Sequence, residues 1–192
     1  MPTKTAASAP AQCVPLETRE PTGAGQRCAA GECALPGQFA GVDKVFITQC
    51  KMWSYRNKWM YMDTKLEEVA QYTTRYPNRF VGLASYNPFR IKESLQELDQ
   101  AIKVHGFKGV YIHIYGFDIP LHDAKMYPVY AKCVELDLPI CVCVGVPGPR
   151  LPMAPQKVEL IDEVCWFFPE LKFVMRHGAE PCFNRKLAML CR

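Results

Sequence analysis

The residues best suited to chemistry lie in one short stretch, 171–181. There an apolar run of Phe173, Val174 and Met175 leads directly into Arg176, His177, Gly178, Ala179, Glu180 and Pro181. A buried strand that ends in histidine and then a Gly/Pro turn sets an imidazole at the rim of a sheet, able to take or give a proton near neutrality. His177 is therefore the candidate catalytic residue. His113 ends a second apolar run, with Tyr115 two residues further on, and these two are the candidate substrate-binding residues. His113 can orient a substrate or stabilise developing charge, and a histidine hydrogen-bonded to a neighbouring loop explains it equally well. Arg176 alternates to the other face of its strand and reads equally as a surface or salt-bridged residue. His105 reads as a helix-end residue and His122 as a loop or cap residue.

These groups are useful only if a scaffold brings them to one rim. From residue 45 onward a unit of apolar strand, turn, amphipathic helix and turn recurs about every 30 residues. The predicted strands are 45–50, 80–85, 109–113, 140–145 and 172–175. Between them, apolar positions fall at helical steps: Leu66, Val69, Ala70 and Thr73; Ile91, Leu95, Leu98 and Ile102; Met126, Val129, Tyr130 and Cys133; Val158, Ile161, Cys165 and Phe168. Thr64 and Glu67 have the spacing of a capping box, and Pro77 ends the first helix. Nearly unbroken apolar strands alternating with one-sided helices read as parallel strands covered on both faces. The fold class is α/β, either a partial (β/α)8 TIM-barrel-like arrangement of about five parallel strands or a doubly wound open sheet. The segment after the first strand, Cys50-Lys51-Met52-Trp53, supplies no glycine-rich phosphate loop and so disfavours the second. In a barrel the strand C-termini form the ligand rim, which here carries Gln49, Cys50, Ser85, Tyr86, Asn87, His113, Tyr115, Cys143, Gly145, Val146, Arg176 and His177.

Composition excludes several classes. The 192 residues are 49% hydrophobic and 22% charged, enough for one sizeable domain. The net charge of +4 comes from scattered lysines and arginines without aromatic interleaving, which argues against nucleic acid. No apolar stretch is long enough to cross a bilayer, and the N-terminal sequence lacks the pattern of a secretory signal, so a cytoplasmic protein with no membrane partner is expected. Among the ten cysteines, Cys133, Cys141, Cys143 and Cys165 fall in core-like patterns and read as buried thiols. Residues 1–40 are rich in Ala, Pro and Gly and poor in large hydrophobes, and are expected to be a disordered low-complexity tail. Cys28 and Cys33 within them read as thiols of that tail. Residues 41–182 form the predicted domain and 183–192 a C-terminal tail. The prolines of 145–155 suggest a rigid wall, and the aromatic segment 53–61 reads either as a lining of the same mouth or as a packed surface helix or loop.

Three segments in order, Tyr76-Pro77-Asn78-Arg79-Phe80-Val81-Gly82-Leu83, Gly106-Phe107-Lys108-Gly109-Val110 and 168–178 with its Met175-Arg176-His177-Gly178 ending, resemble the amidohydrolase-related family that includes aminocarboxymuconate semialdehyde decarboxylase. The resemblance runs from about residue 41 to Pro181. It implies a distorted (β/α)8 barrel with a divalent metal, zinc or manganese, at the strand C-termini. The implied reactions are hydrolysis or non-oxidative decarboxylation of small carboxylated substrates. It also implies that His177 is the acid or base, matching the histidine after the barrel's sixth strand, with Gly178 and Pro181 matching the turn beyond it.

The family's metal ligands are a His-x-His or Glu-x-His on the first strand, a histidine after the fifth and an aspartate after the eighth. The chain has no histidine before His105, and Cys143 and Val146 occupy the fifth-strand positions. Cys143 can serve as a thiolate ligand in principle, although a buried apolar thiol is the simpler reading. The sequence thus reads as a family domain interrupted at both ends. The expected function is a metal-dependent hydrolase or decarboxylase, incomplete in this chain. The alternative is a non-catalytic binding partner that forms a homo-oligomer or pairs with a full-length relative.

Overall fold

An apolar strand and a one-sided helix bury each other when the chain crosses back over the sheet, and the described chain does so four times. The computed structural model describes residues 42–54, 60–148 and 151–177, all within the second of two units, 37–192. The tail 1–40, with Cys28 and Cys33, and the segment 183–192 lie outside the described residues, as does the turn from Gly178 to Pro181.

The strands are β1 (Val45–Thr48), β2 (Lys51–Trp53), β3 (Met60–Asp63), β4 (Phe80–Leu83), β5 (Val110–Ile112), β6 (Ile140–Cys143) and β7 (Phe173–Arg176). The helices are α1 (Leu66–Arg75), α2 (Ile91–Lys103), α3 (Tyr127–Glu135) and α4 (Leu160–Phe167). Parallel pairing joins β1 to β4 with Val45 opposite Phe80, and joins β5 to β6 and β6 to β7 with Val110 opposite Ile140 and Ile140 opposite Phe173. A parallel bridge between Ala84 and Val110 continues the ribbon from β4 to β5. It is reinforced by the Ala84 N–H to Gly109 carbonyl bond at 2.9 Å and the Tyr111 N–H to Ala84 carbonyl bond at 2.7 Å. The spatial order is therefore β1-β4-β5-β6-β7, which follows the chain without reversal. A doubly wound sheet reverses its strand order at a switch point, so this ordering selects the barrel-like alternative.

One face of the ribbon packs on the helices. Val110, Ile112, Ile140 and Val142 share a core with Leu66, Val69, Leu98, Val129, Tyr130, Cys133, Ile161 and Val164, all buried. The opposite face holds the small cluster Leu83, Tyr111, Tyr115 and Cys143. It is not covered throughout, since Phe46 is 62% exposed and Val174 43%. Among the described residues, the expectation of cover on both faces is thus met on one. Within the described residues, β1 and β7 are edges.

Several local expectations are corrected. The parallel strands stop before their predicted C-terminal limits at Cys50, Ser85, His113 and Gly145, because the last one or two residues of each leave the ladder. β2 and β3, which were not foreseen, pair antiparallel with Lys51 opposite Asp63; residues 55–59 of the predicted aromatic segment lie outside the described residues. The cap of α1 sits one residue later than predicted. The Thr64 N–H still donates to the Cys50 carbonyl at 2.9 Å, so Lys65 takes the cap position and its N–H donates to Glu68 Oε2 at 3.0 Å. In α4 the buried face uses Ile161 and Val164, which leaves Cys165 exposed rather than buried. Cys141 is half-buried, whereas Cys133 and Cys143 are buried. Among the described residues no helix is long and apolar enough to cross a membrane.

A polar cluster fastens the end of β1 beneath this ribbon. Lys51, 6% exposed, reaches Asp63 and Glu97 at 3.0 Å each. Burial alone pushes its ammonium pKa down, but the hydrogen bonds and charges of the two carboxylates outweigh that and hold it above the ordinary lysine value. Gln49, fully buried, donates to Glu97 Oε1 at 2.6 Å and to the Thr64 carbonyl at 3.1 Å, and its Oε1 accepts the Ser85 N–H at 3.1 Å. Both amide ends are thereby satisfied between the first two parallel strands.

Gly82 is a packing requirement. A Cβ there would lie 2.5 Å from ring atoms of Phe107, itself only 1% exposed and unable to move aside cheaply. We expect Gly82→Ala to cost about 2 kcal/mol of unfolding free energy, measured by urea denaturation. An unchanged midpoint would show that the Phe107 ring is not fixed as described.

Candidate active site

The rim at the strand C-termini gathers the four residues singled out from sequence. A cleft of about 240 Å³ is lined by Tyr111, His113, Tyr115, Cys143, Arg176 and His177, with 146–148 forming one wall. Each arrives by a different route. β5 supplies Tyr111 directly. His113 follows where that strand gives way to a short 3-10 turn, Ile114–Gly116, which carries Tyr115. Cys143 is the last residue of β6 and Arg176 the last of β7. His177 adopts φ 62°, a left-handed conformation uncommon outside glycine, which turns the chain off the end of the strand.

The rings form an ordered wall. Tyr111 and His113 meet edge to face with centroids 4.5 Å apart and planes at 85°, and His113 meets Tyr115 in the same way at 5.8 Å. The guanidinium carbon of Arg176 stands 4.8 Å from the centre of the Tyr111 ring. The Tyr111 hydroxyl contacts Cys143 Sγ at 3.0 Å, and Cys50 Sγ lies 3.6 Å from His113 Nδ1.

The protonation states follow from burial. Desolvation, then the charges of Arg176 and His177, pull His113 down to about 4 from an ordinary 6.5, so its imidazole is neutral at pH 7. Burial, then Cys143, pushes the Cys50 thiol up. Cys50 and His113 therefore form a neutral thiol–imidazole contact, not the ion pair that activates a nucleophilic cysteine. Burial also raises the Cys143 thiol, although its Tyr111 hydrogen bond and Arg176 act in the other direction. Tyr115 is pushed up to about 12, first by burial and then by Cys143 and Cys50, so its phenol keeps its proton.

Tyr86 and Asn87, two other rim residues, serve the scaffold. The Tyr86 hydroxyl donates to the Lys125 carbonyl at 2.7 Å, and Asn87 Oδ1 accepts the Phe89 N–H at 2.9 Å in a local turn. His105 and His122 stand apart from the cleft lining. Sequence reasoning did not single out Tyr111. Its signal was the two-residue step that puts Tyr111 and His113 on one strand face.

The family model described as amidohydrolase matches residues 56–189, well over half of the chain. The chain belongs to the amidohydrolase family. Among solved structures, the Tim-barrel protein Bb4693 from Bordetella bronchiseptica is similar with a TM-score of 0.67 at 22% identity, covering 81% of this chain and 54% of that one. A 5-carboxyvanillate decarboxylase from Novosphingobium aromaticivorans, complexed with manganese and 4-hydroxy-3-methoxy-5-nitrobenzoic acid, gives 0.54 at 18% identity, covering 65% and 41%. A 2,6-dihydroxybenzoate decarboxylase from Rhizobium gives 0.51 at 17%, covering 61% and 44%. These likenesses establish a partial TIM-barrel fold, and this amidohydrolase chain spans about half the length of the solved structures it matches or less.

Whether the described residues suit a divalent metal is a question of donors. Among them no three His, Cys, Asp or Glu side chains are grouped so as to hold a metal ion. Cys143, the sequence candidate, is a buried thiol whose Sγ contacts the Tyr111 hydroxyl at 3.0 Å. The described part of the cleft does not fit a resident metal.

His113 also links this cleft to stability. Its pKa in the folded chain lies below the unfolded value, so the folded state resists a proton that the unfolded state accepts. The contribution is complete above about pH 6.5 and is lost as pH falls from there to about 4. We expect a loss on the order of 2 kcal/mol over that window, after allowance for solvent access. It should disappear in His113→Phe when unfolding free energies from urea denaturation are compared at pH 4.5 and 7; an equal loss in the wild type and the variant would contradict the assignment.

Proposed function

We propose that this chain carries the acid–base and substrate-binding side of an amidohydrolase-family site, acting on small carboxylated substrates by hydrolysis or non-oxidative decarboxylation. One observation carries the reading. Residues far apart in sequence, His113, Tyr115, Cys143 and His177, line a single cleft at the strand C-termini, on a fold whose ligands bind at that rim. The decarboxylases among its structural neighbours act on aromatic carboxylates named in their descriptions, 5-carboxyvanillate and 2,6-dihydroxybenzoate, which makes those acids the first substrates to try.

The chain's own groups divide the work. His177 is the proton carrier, placed at the rim with access to water. In decarboxylation its imidazolium delivers a proton to the carbon bearing the carboxylate, the carbon–carbon bond breaks to release carbon dioxide, and solvent reprotonates the imidazole. In hydrolysis the neutral imidazole takes a proton from the attacking water and returns it to the leaving group. His113, neutral, and Tyr115, protonated, orient the substrate by hydrogen bonds without adding charge. A second reading, a binding partner of a larger relative or of another copy, is favoured by the exposed Phe46 and Val174 on β1 and β7, which are edges among the described residues.

The test is turnover of both aromatic acids by the folded, gel-filtered chain, with its metal content measured in the same preparation. We expect His177→Ala to lower turnover at least about 100-fold while substrate binding persists. Full activity in His177→Ala would overturn the proton-carrier role, and a folded chain with no turnover would favour the binding reading.

A further inference from the structure

Arg176 is one of the residues that line the cleft. It is exposed at the end of β7, and among the described residues no carboxylate pairs with it. Its guanidinium rests on the Tyr111 ring at 4.8 Å, and that ring is itself fixed on two sides, by Cys143 Sγ at 3.0 Å from the hydroxyl and by the His113 ring at 4.5 Å. A planar cation laid on a braced aromatic face is pre-oriented and has much of its rotamer entropy already removed. Among the described residues its donors carry no ion pair.

The cleft beside it has the complementary chemistry. Its described lining contains no aspartate or glutamate, its thiols and phenols keep their protons, and His113 is neutral, so Arg176 supplies a positive charge that nothing in the lining neutralises. Such a cleft draws an anion. Its volume, about 240 Å³, lies below the range typical of drug-sized ligands, and the edges of Tyr111, His113 and Tyr115 make one wall aromatic.

We propose that Arg176, carried on the Tyr111 ring, is the carboxylate anchor of the cleft and selects single-ring planar monoacids over their neutral analogues. This deepens the small-carboxylate reading above and rests on it. Two N–H donors of the fork engage both carboxylate oxygens, leaving the acid's ring beside the aromatic wall and the ring carbon that bears the carboxylate on the side of His177. Tyr111 is a positioning residue that acts through Arg176, and the useful part of it is the ring face, not the hydroxyl.

The experiment is calorimetric or NMR titration of the folded chain with 2,6-dihydroxybenzoate and with its neutral amide. Arg176→Met should weaken binding of the acid roughly tenfold or more and leave the amide little changed. Arg176→Lys should recover only part, because an ammonium cannot match the fork. Tyr111→Leu should weaken acid binding, and Tyr111→Phe should restore it; circular dichroism checks the fold of each variant. If the wild type binds the acid and Arg176→Met binds it equally well, the anchor is overturned while the small-carboxylate reading stands. If the folded wild type binds no acid, both fall. If Tyr111→Leu binds as the wild type does, the ring-borne anchor is overturned.

Discussion

Parallel pairing is the constraint on which the rest depends. Two parallel strands cannot be joined by a tight turn, so every connection must cross the sheet, and here a helix runs in each of the four crossovers. The helices then lie against one face and bury it, as Val110, Ile112, Ile140 and Val142 show. The C-terminus of every parallel strand is left at the same rim. Groups that the sequence separates by dozens of residues become neighbours as a result: Cys50 meets His113, Tyr111 meets Cys143, and Arg176 meets Tyr111.

Burial then decides what those neighbours can do. A thiol and an imidazole in contact can become a nucleophilic ion pair, but only where the surroundings stabilise both charges. At Cys50 and His113 the desolvation cost lies on both partners and the nearby cation repels a protonated imidazole, so both stay neutral. The same cost keeps Cys143 and Tyr115 protonated. What remains at the rim is an exposed guanidinium, an exposed imidazole and a wall of neutral hydrogen-bonding groups, a set suited to holding an anion and moving a proton. It is poorly suited to covalent catalysis by sulfur.

Much of this was legible in the sequence because its signals are local. The recurrence of apolar strand and one-sided helix marked all five parallel strands, and the helical faces at Leu66, Val69, Ala70 and Thr73 and at Met126, Val129, Tyr130 and Cys133 are buried as the periodicity required. Ambiguity arose where two residues satisfy the same period. Val164 and Cys165 both sit about one turn beyond Ile161, and only packing against the sheet decided for Val164. The antiparallel pairing of β2 with β3 was hidden because it buries Lys51, whose carboxylate partners are Asp63 and Glu97, the latter 46 positions away. At the site, the histidines were visible from their places at strand ends. The bearing of Arg176 was not, since alternation along β7 gives a face and not a partner, and its partner Tyr111 lies two strands away across β6.

The most direct test of the rim as the ligand site is a map of amide and side-chain NMR shifts as 2,6-dihydroxybenzoate is added to the folded chain. The largest changes should fall together on Tyr111, His113, Tyr115, Cys143, Arg176 and His177. Changes confined to the opposite ends of the strands, or to the groove that Thr64, Glu68 and Tyr72 form beside β1, would contradict it.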